Sequence, residues 1–142
     1  MKRLLSLAMF FALATTAVSC TDSTGPGDSL SGTYTLSTIN GVTPPVLVYQ
    51  DASVRSEVVA AQIVLDAAGN YQGTTRYRDT YTGQQPQLVD DVITGYWTLS
   101  GNQLALTDNQ YPNDPYIATV SGGTITLTDY TTGSGYVLVY SK

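Results

Sequence analysis

The adjacent acidic pair Asp90-Asp91 is the first place to look for acid–base chemistry in this chain. Two carboxyls act as acid and base only when they flank one bond, and neighbours on a strand point to opposite faces. In a loop before a strand, the same pair reads as solvated charge. A nucleophilic Ser would need His or Lys as its base, but the chain has no His, and Lys142 is its only Lys after residue 2. Asp108 to Pro115 is rich in Asp and Asn oxygens that calcium could use. These are also ordinary turn residues, and no D-x-D-x-D-G pattern accompanies them. The residues therefore point to a non-enzymatic protein with no cofactor and no metal. Lys+Arg 6 against Asp+Glu 11, a net charge of −5, argues against nucleic acid as a partner. Arg76 and Arg78, two apart, share a face with Gln72 and Thr74 and read either as a solvated outer face or as an anion or partner contact.

Cys20, the only Cys, cannot form an internal disulfide. Lys2 and Arg3 precede an apolar run from Leu4 to Val18, which is broken only by Ser6, Thr15 and Thr16. A span of the bilayer needs about 20 apolar residues, so this shorter run reads as a signal peptide over residues 1–19 rather than a retained anchor. Ala17, Val18 and Ser19 ahead of Cys20 resemble the lipobox of bacterial lipoproteins, with Ala17 where Leu is most common. The resemblance implies cleavage before Cys20, a diacylglycerol on its thiol, and membrane partnership through that lipid. Two or more acyl chains hold a protein stably where one does not. Ordinary signal cleavage leaving a thiol at Cys20 is the alternative. Thr21 stands where an Asp would resemble an inner-membrane retention signal, so the expected location is the bacterial cell envelope, at the outer membrane.

Removal of residues 1–19 takes both Met and both Phe and leaves 4 basic and 11 acidic side chains. Thr21 to Ser29, TDSTGPGDS, has no apolar residue to dock, so residues 20–29 read as a flexible tether. The domain would occupy residues 30–142. Its elements are extended: Leu30, Gly32, Tyr34 and Leu36 alternate with small polar residues, and Asn40-Gly41 marks a turn. Val46 to Tyr49 follows Pro44-Pro45, which forbid helix. Ala61, Ile63 and Leu65 then lead through a turn to Tyr71, Gly73, Thr75 and Tyr77, a hairpin with an inside and an outside. Ile93, Gly95, Trp97 and Leu99 share a face, Gly101-Asn102 turns the chain, and Leu104 and Leu106 return. Tyr116 to Val120, Thr124 to Asp129 and Tyr136 to Tyr140 close the series. The stretch Asp51 to Ala60 is open between strand and a short helix capped by Ser53. About eight short strands with no crossover helix require an antiparallel all-β sheet, which protects its edges as a barrel or a sandwich.

Gly32-Thr33-Tyr34, Asn40-Gly41, the run Gly95 to Thr107 and the closing Tyr136-Val-Leu-Val-Tyr140 resemble the lipocalin-like domains of bacterial lipoproteins, with Tyr34 in the place of the lipocalin Trp. The resemblance implies a small up-and-down antiparallel β-barrel. In a barrel, inward Tyr34, Tyr71, Tyr77 and Trp97 are the expected ligand-binding residues, with rings as walls and hydroxyls as orienting groups for a small amphipathic or hydrophobic molecule. Against this, eight strands enclose an interior only just wide enough for side chains to fill. The alternative function is a protein-interaction module, an envelope inhibitor or assembly lipoprotein. It would use loops and the outer face, with tyrosines such as Tyr111 and Tyr130 exposed to a partner.

Overall fold

The computed structural model describes residues 30–129 and 135–142. The signal segment 1–19, Cys20, the tether 20–29 and Tyr130 lie outside the described residues. Nine strands follow one another: β1 Gly32–Ile39, β2 Val46–Gln50, β3 Val54–Leu65, β4 Asn70–Tyr81, β5 Gln87–Ser100, β6 Gln103–Asp108, β7 Tyr116–Ser121, β8 Thr124–Asp129 and β9 Tyr136–Ser141. All neighbouring strands are antiparallel, in the order β1-β9-β8-β7-β6-β5-β4-β3-β2, and β1 also pairs with β3. That pairing closes eight strands, all but β2, into a barrel.

The closing strand has two partners. The C-terminal part of β3 pairs with β1, from Gly32 opposite Leu65 to Thr35 opposite Gln62. Its N-terminal part pairs with β2, from Val46 opposite Val58 to Gln50 opposite Arg55. Between β1 and β2 the chain reverses at Asn40 and Gly41, both at positive φ (51° and 79°), while the amides and carbonyls of Ile39 and Val42 bond reciprocally at 2.9 Å. Asn-Gly suits such a turn because both central residues must leave the usual backbone region. The Asn40 side chain also accepts a bond from the Val137 amide, at 2.8 Å, which ties the turn to β9.

No helix forms between Asp51 and Ala60. One Asp51 carboxylate oxygen accepts bonds from the Ser53 amide (2.7 Å), the Ser53 hydroxyl (2.8 Å) and the Val54 amide (2.8 Å). The acceptor that organises this reversal is thus Asp51, and Ser53 donates to it rather than capping a helix. From Val54 the chain pairs with β4 out to Tyr81, and the register shifts between Val58 and Ala60. The extra residue in this bulge breaks the alternation by which a strand is recognised.

The barrel is filled solidly at one pole. Tyr34, Leu65, Leu104 and Ile125 are wholly buried there, with Trp97 beside them. Two polar atoms of this floor find backbone partners: the Tyr34 hydroxyl donates to the Leu30 carbonyl at 2.7 Å, and the Trp97 indole nitrogen donates to the Asp66 carbonyl at 3.1 Å. At Gly95, β5 and β6 approach so closely that an added Cβ would stand 1.9 Å from the Thr107 carbonyl oxygen and 2.8 Å from the Tyr71 ring. Overpacking against backbone cannot be relieved by a rotamer change, so Gly95→Ala is expected to lower unfolding free energy in urea by about 3 kcal/mol or more. Gly101→Ala has open space around it and only a positive φ of 63° to contend with, and should cost about 1 kcal/mol. Equal losses in the two variants would refute the close approach as the cause.

Candidate functional site

Strand length decides where the interior stays open. β3, β4 and β5 have 12, 12 and 14 residues, whereas β6 to β9 have 6 each. β5 meets β6 only from Gly95 to Ser100, so its residues from Gln87 to Ile93 pair with β4 alone. With β2 on the far side, the long strands rise above the rest of the barrel as a half-wall. Facing residues at this level are small: Ala61 on β3, and Gly73 and Thr75 on β4. The result is a cavity of about 450 Å³, within the range of pockets that hold small molecules. Tyr49 and Asp91, both exposed, lie in its lining and mark where it meets solvent.

Two kinds of surface line it. The walls are aliphatic, among them Val58, Ile63, Ile93, Leu106, Leu127 and Leu138. Set into them are six tyrosines: Tyr49, Tyr71, Tyr77, Tyr116, Tyr136 and Tyr140. The Tyr136 hydroxyl donates to the Val48 carbonyl (3.0 Å), which joins β9 to β2 across the mouth. The Tyr49 hydroxyl donates to the second Asp51 oxygen (2.7 Å), and this bond, with those from Ser53 and Val54, holds the Asp51 carboxyl well below the usual carboxylate range. Near the rim the Ser56 hydroxyl donates to Asp79 at 2.6 Å.

Tyr71 differs from the others. Its ring lines the cavity and is 3% exposed, yet its hydroxyl is buried with no hydrogen-bond partner among the described residues. Burial pushes this phenol up to about 12, and the nearby Asp108 and Tyr116 add to the effect. Asp108 is itself buried and accepts a bond from the Gln110 amide at 2.7 Å, so the carboxylate opening the Asp108–Pro115 segment serves a turn. Among the described residues no group of three His, Cys, Asp or Glu side chains converges to hold a metal ion.

Asp90 and Asp91 part company on β5. Asp90 is opposite Arg76 and binds it on the outer face through two contacts of 2.6 and 2.7 Å, which keep the Asp90 carboxyl low. Asp91 is opposite Thr75 and belongs to the cavity lining. Arg78 binds Glu57 with two nitrogens (2.8 and 2.6 Å), and Arg55 reaches the other Glu57 oxygen at 2.8 Å, so Glu57 also titrates low. Both arginines singled out in the sequence are thus engaged with carboxylates of the same sheet.

Of the four expected ligand-binding residues, the fold brings Tyr71 and Tyr77 to the cavity. Tyr34 and Trp97 stand in the floor, outside the lining. Tyr49, Tyr116, Tyr136, Tyr140 and Asp91 join the site without having been singled out for it. Fold and cavity together define an all-β protein, a closed eight-stranded antiparallel barrel open at one pole through a tyrosine-rimmed mouth. No family model, curated protein or solved structure matches the chain.

A phenol whose ionisation is raised by folding contributes stability that is complete below its unfolded value of 10.0 and is lost as pH climbs through its folded value, here about 12. Chemical denaturation between these limits should show falling stability, with a shallower fall in Tyr71→Phe. At neutral pH this variant should be as stable as the parent or gain about 1 kcal/mol, since it removes a buried hydroxyl that has no partner among the described residues. An undiminished alkaline loss in Tyr71→Phe would refute the assignment. Tyr34, also raised by burial, accounts for a residual slope.

Proposed function

We propose that this protein is a non-enzymatic binding protein of the bacterial cell envelope, lipid-anchored through Cys20 at the outer membrane, that holds a small amphipathic or hydrophobic molecule in the mouth of its barrel. The observation that carries the reading is the 450 Å³ cavity, whose aliphatic walls are set with phenols both in its depth, at Tyr71 and Tyr140, and at its mouth, at Tyr49. Such a surface suits a ligand with an apolar body and a polar end. The lack of His throughout the chain leaves the serine and threonine hydroxyls without their usual base and supports a binding role rather than catalysis.

Titration of the purified protein with an apolar fluorescent probe should give saturable binding. Tyr77→Ala, which removes one wall of the mouth, should weaken it about tenfold, the loss expected when an aromatic contact worth roughly 1.5 kcal/mol is deleted. A probe that stays in water at every protein concentration would refute the carrier reading. The anchor is tested separately: labelled palmitate should enter the parent and fail to enter Cys20→Ser.

A specific observation favours a second reading, the interaction module. Leu88, Val92 and Tyr96 lie on the outer face of β5, 65%, 51% and 46% exposed, on a strand whose edge from Gln87 to Ile93 pairs, among the described residues, with no strand beyond β4. Exposed apolar side chains on an unpaired edge are the features a partner protein would cover. Loss of partner binding in Leu88→Lys with probe binding intact would favour this reading over the carrier.

A further inference from the structure

The charge of the cavity is one-sided. Among the described residues Asp91 is the single charged one in its lining, and no Lys or Arg belongs to it. The cations of the described residues are engaged elsewhere: Arg55 and Arg78 with Glu57, Arg76 with Asp90, and Lys142 with its ammonium 5.4 Å from the centroid of the Tyr34 ring. Asp91 has no ion-pair partner among the described residues. Tyrosine rings share that lining, and the hydroxyls of Tyr49 and Tyr136 are tied to Asp51 and to the Val48 carbonyl, which fixes these rings in place. A ring face attracts a cation through its quadrupole, the contact that Lys142 makes with Tyr34 in the floor.

We infer that the cavity selects a cationic amphiphile, with an ammonium head beside Asp91 and the tyrosine rings of the mouth and an apolar body against Ile63, Leu106 and Leu127. This rests on the carrier reading and narrows it. An anionic head of the same size would meet the Asp91 carboxylate with no lining cation to offset it, so electrostatics separates the two classes where hydrophobic contact does not. The net charge of −5 acts in the same direction at longer range.

The test compares three probes with the same eight-carbon chain, octyltrimethylammonium, octanol and octanoate, each titrated calorimetrically into the purified full chain. Octyltrimethylammonium is expected to bind at least about tenfold more tightly than octanoate, with octanol between them. Because Asp91 is exposed, the ratio should shrink between low and high salt. Asp91→Asn, a change at an exposed strand position whose folding is checked by thermal unfolding, should reduce the ratio about fivefold or more. Equal or tighter binding of octanoate overturns the inference while leaving the carrier reading in place, as does a ratio unchanged in Asp91→Asn. Failure of all three probes to bind removes the inference and the carrier reading together.

Discussion

An antiparallel sheet that curls into a tube is sealed only over the length that all its strands share. Here the shared length is set by the six-residue strands β6 to β9, while β3, β4 and β5 run about twice as far. At the floor of this common zone the interior is narrow, and packing is complete around Leu104 and Ile125. The cavity begins within that zone, where Leu106, Leu127 and Leu138 line it, and opens toward the level at which β5 pairs with β4 alone. Small residues at Ala61 and Thr75 line it, and Ile93 packs down over Gly73.

β2 keeps this arrangement from being merely a ragged end. It takes the place beside β3 that β1 leaves after Thr35, so the long strands keep a bonded neighbour where the barrel itself has stopped. The Asn40-Gly41 reversal and the Asp51 turn bracket that strand, and the Tyr136 hydroxyl bond to Val48 joins it to β9. One wall of the mouth therefore depends on three polar devices as well as on the packing of Val46 and Val48 against the core.

Alternation made most of this architecture legible in the sequence. Tyr71 to Arg78 shows period two without a break and lies as expected, with tyrosines inward and arginines outward. Local pattern faded in two places. Val54 to Ala60 carries the bulge at Val59, so the alternation that identifies a strand is interrupted, and a capped helix remained an option. Gln87 to Val92 is exposed along its length, so no burial pattern is written into it, and the strand was expected only from Ile93. The site was less legible than the fold. Tyr49, Tyr116 and Tyr136 belong to strands far apart in the chain and meet only through closure, which no short-range pattern records. Tyr34 and Trp97 share the inward alternation of Tyr71 and Tyr77, but alternation gives the face a residue occupies and not its height along the tube.

Leu30 has a consequence for how the barrel is built. It is buried in the floor and its carbonyl accepts the Tyr34 hydroxyl, so the chain enters the domain at the pole opposite the mouth. Loosening Leu30 would therefore disturb the blunt end of the barrel, as a crack in the base of a cup leaves its rim intact.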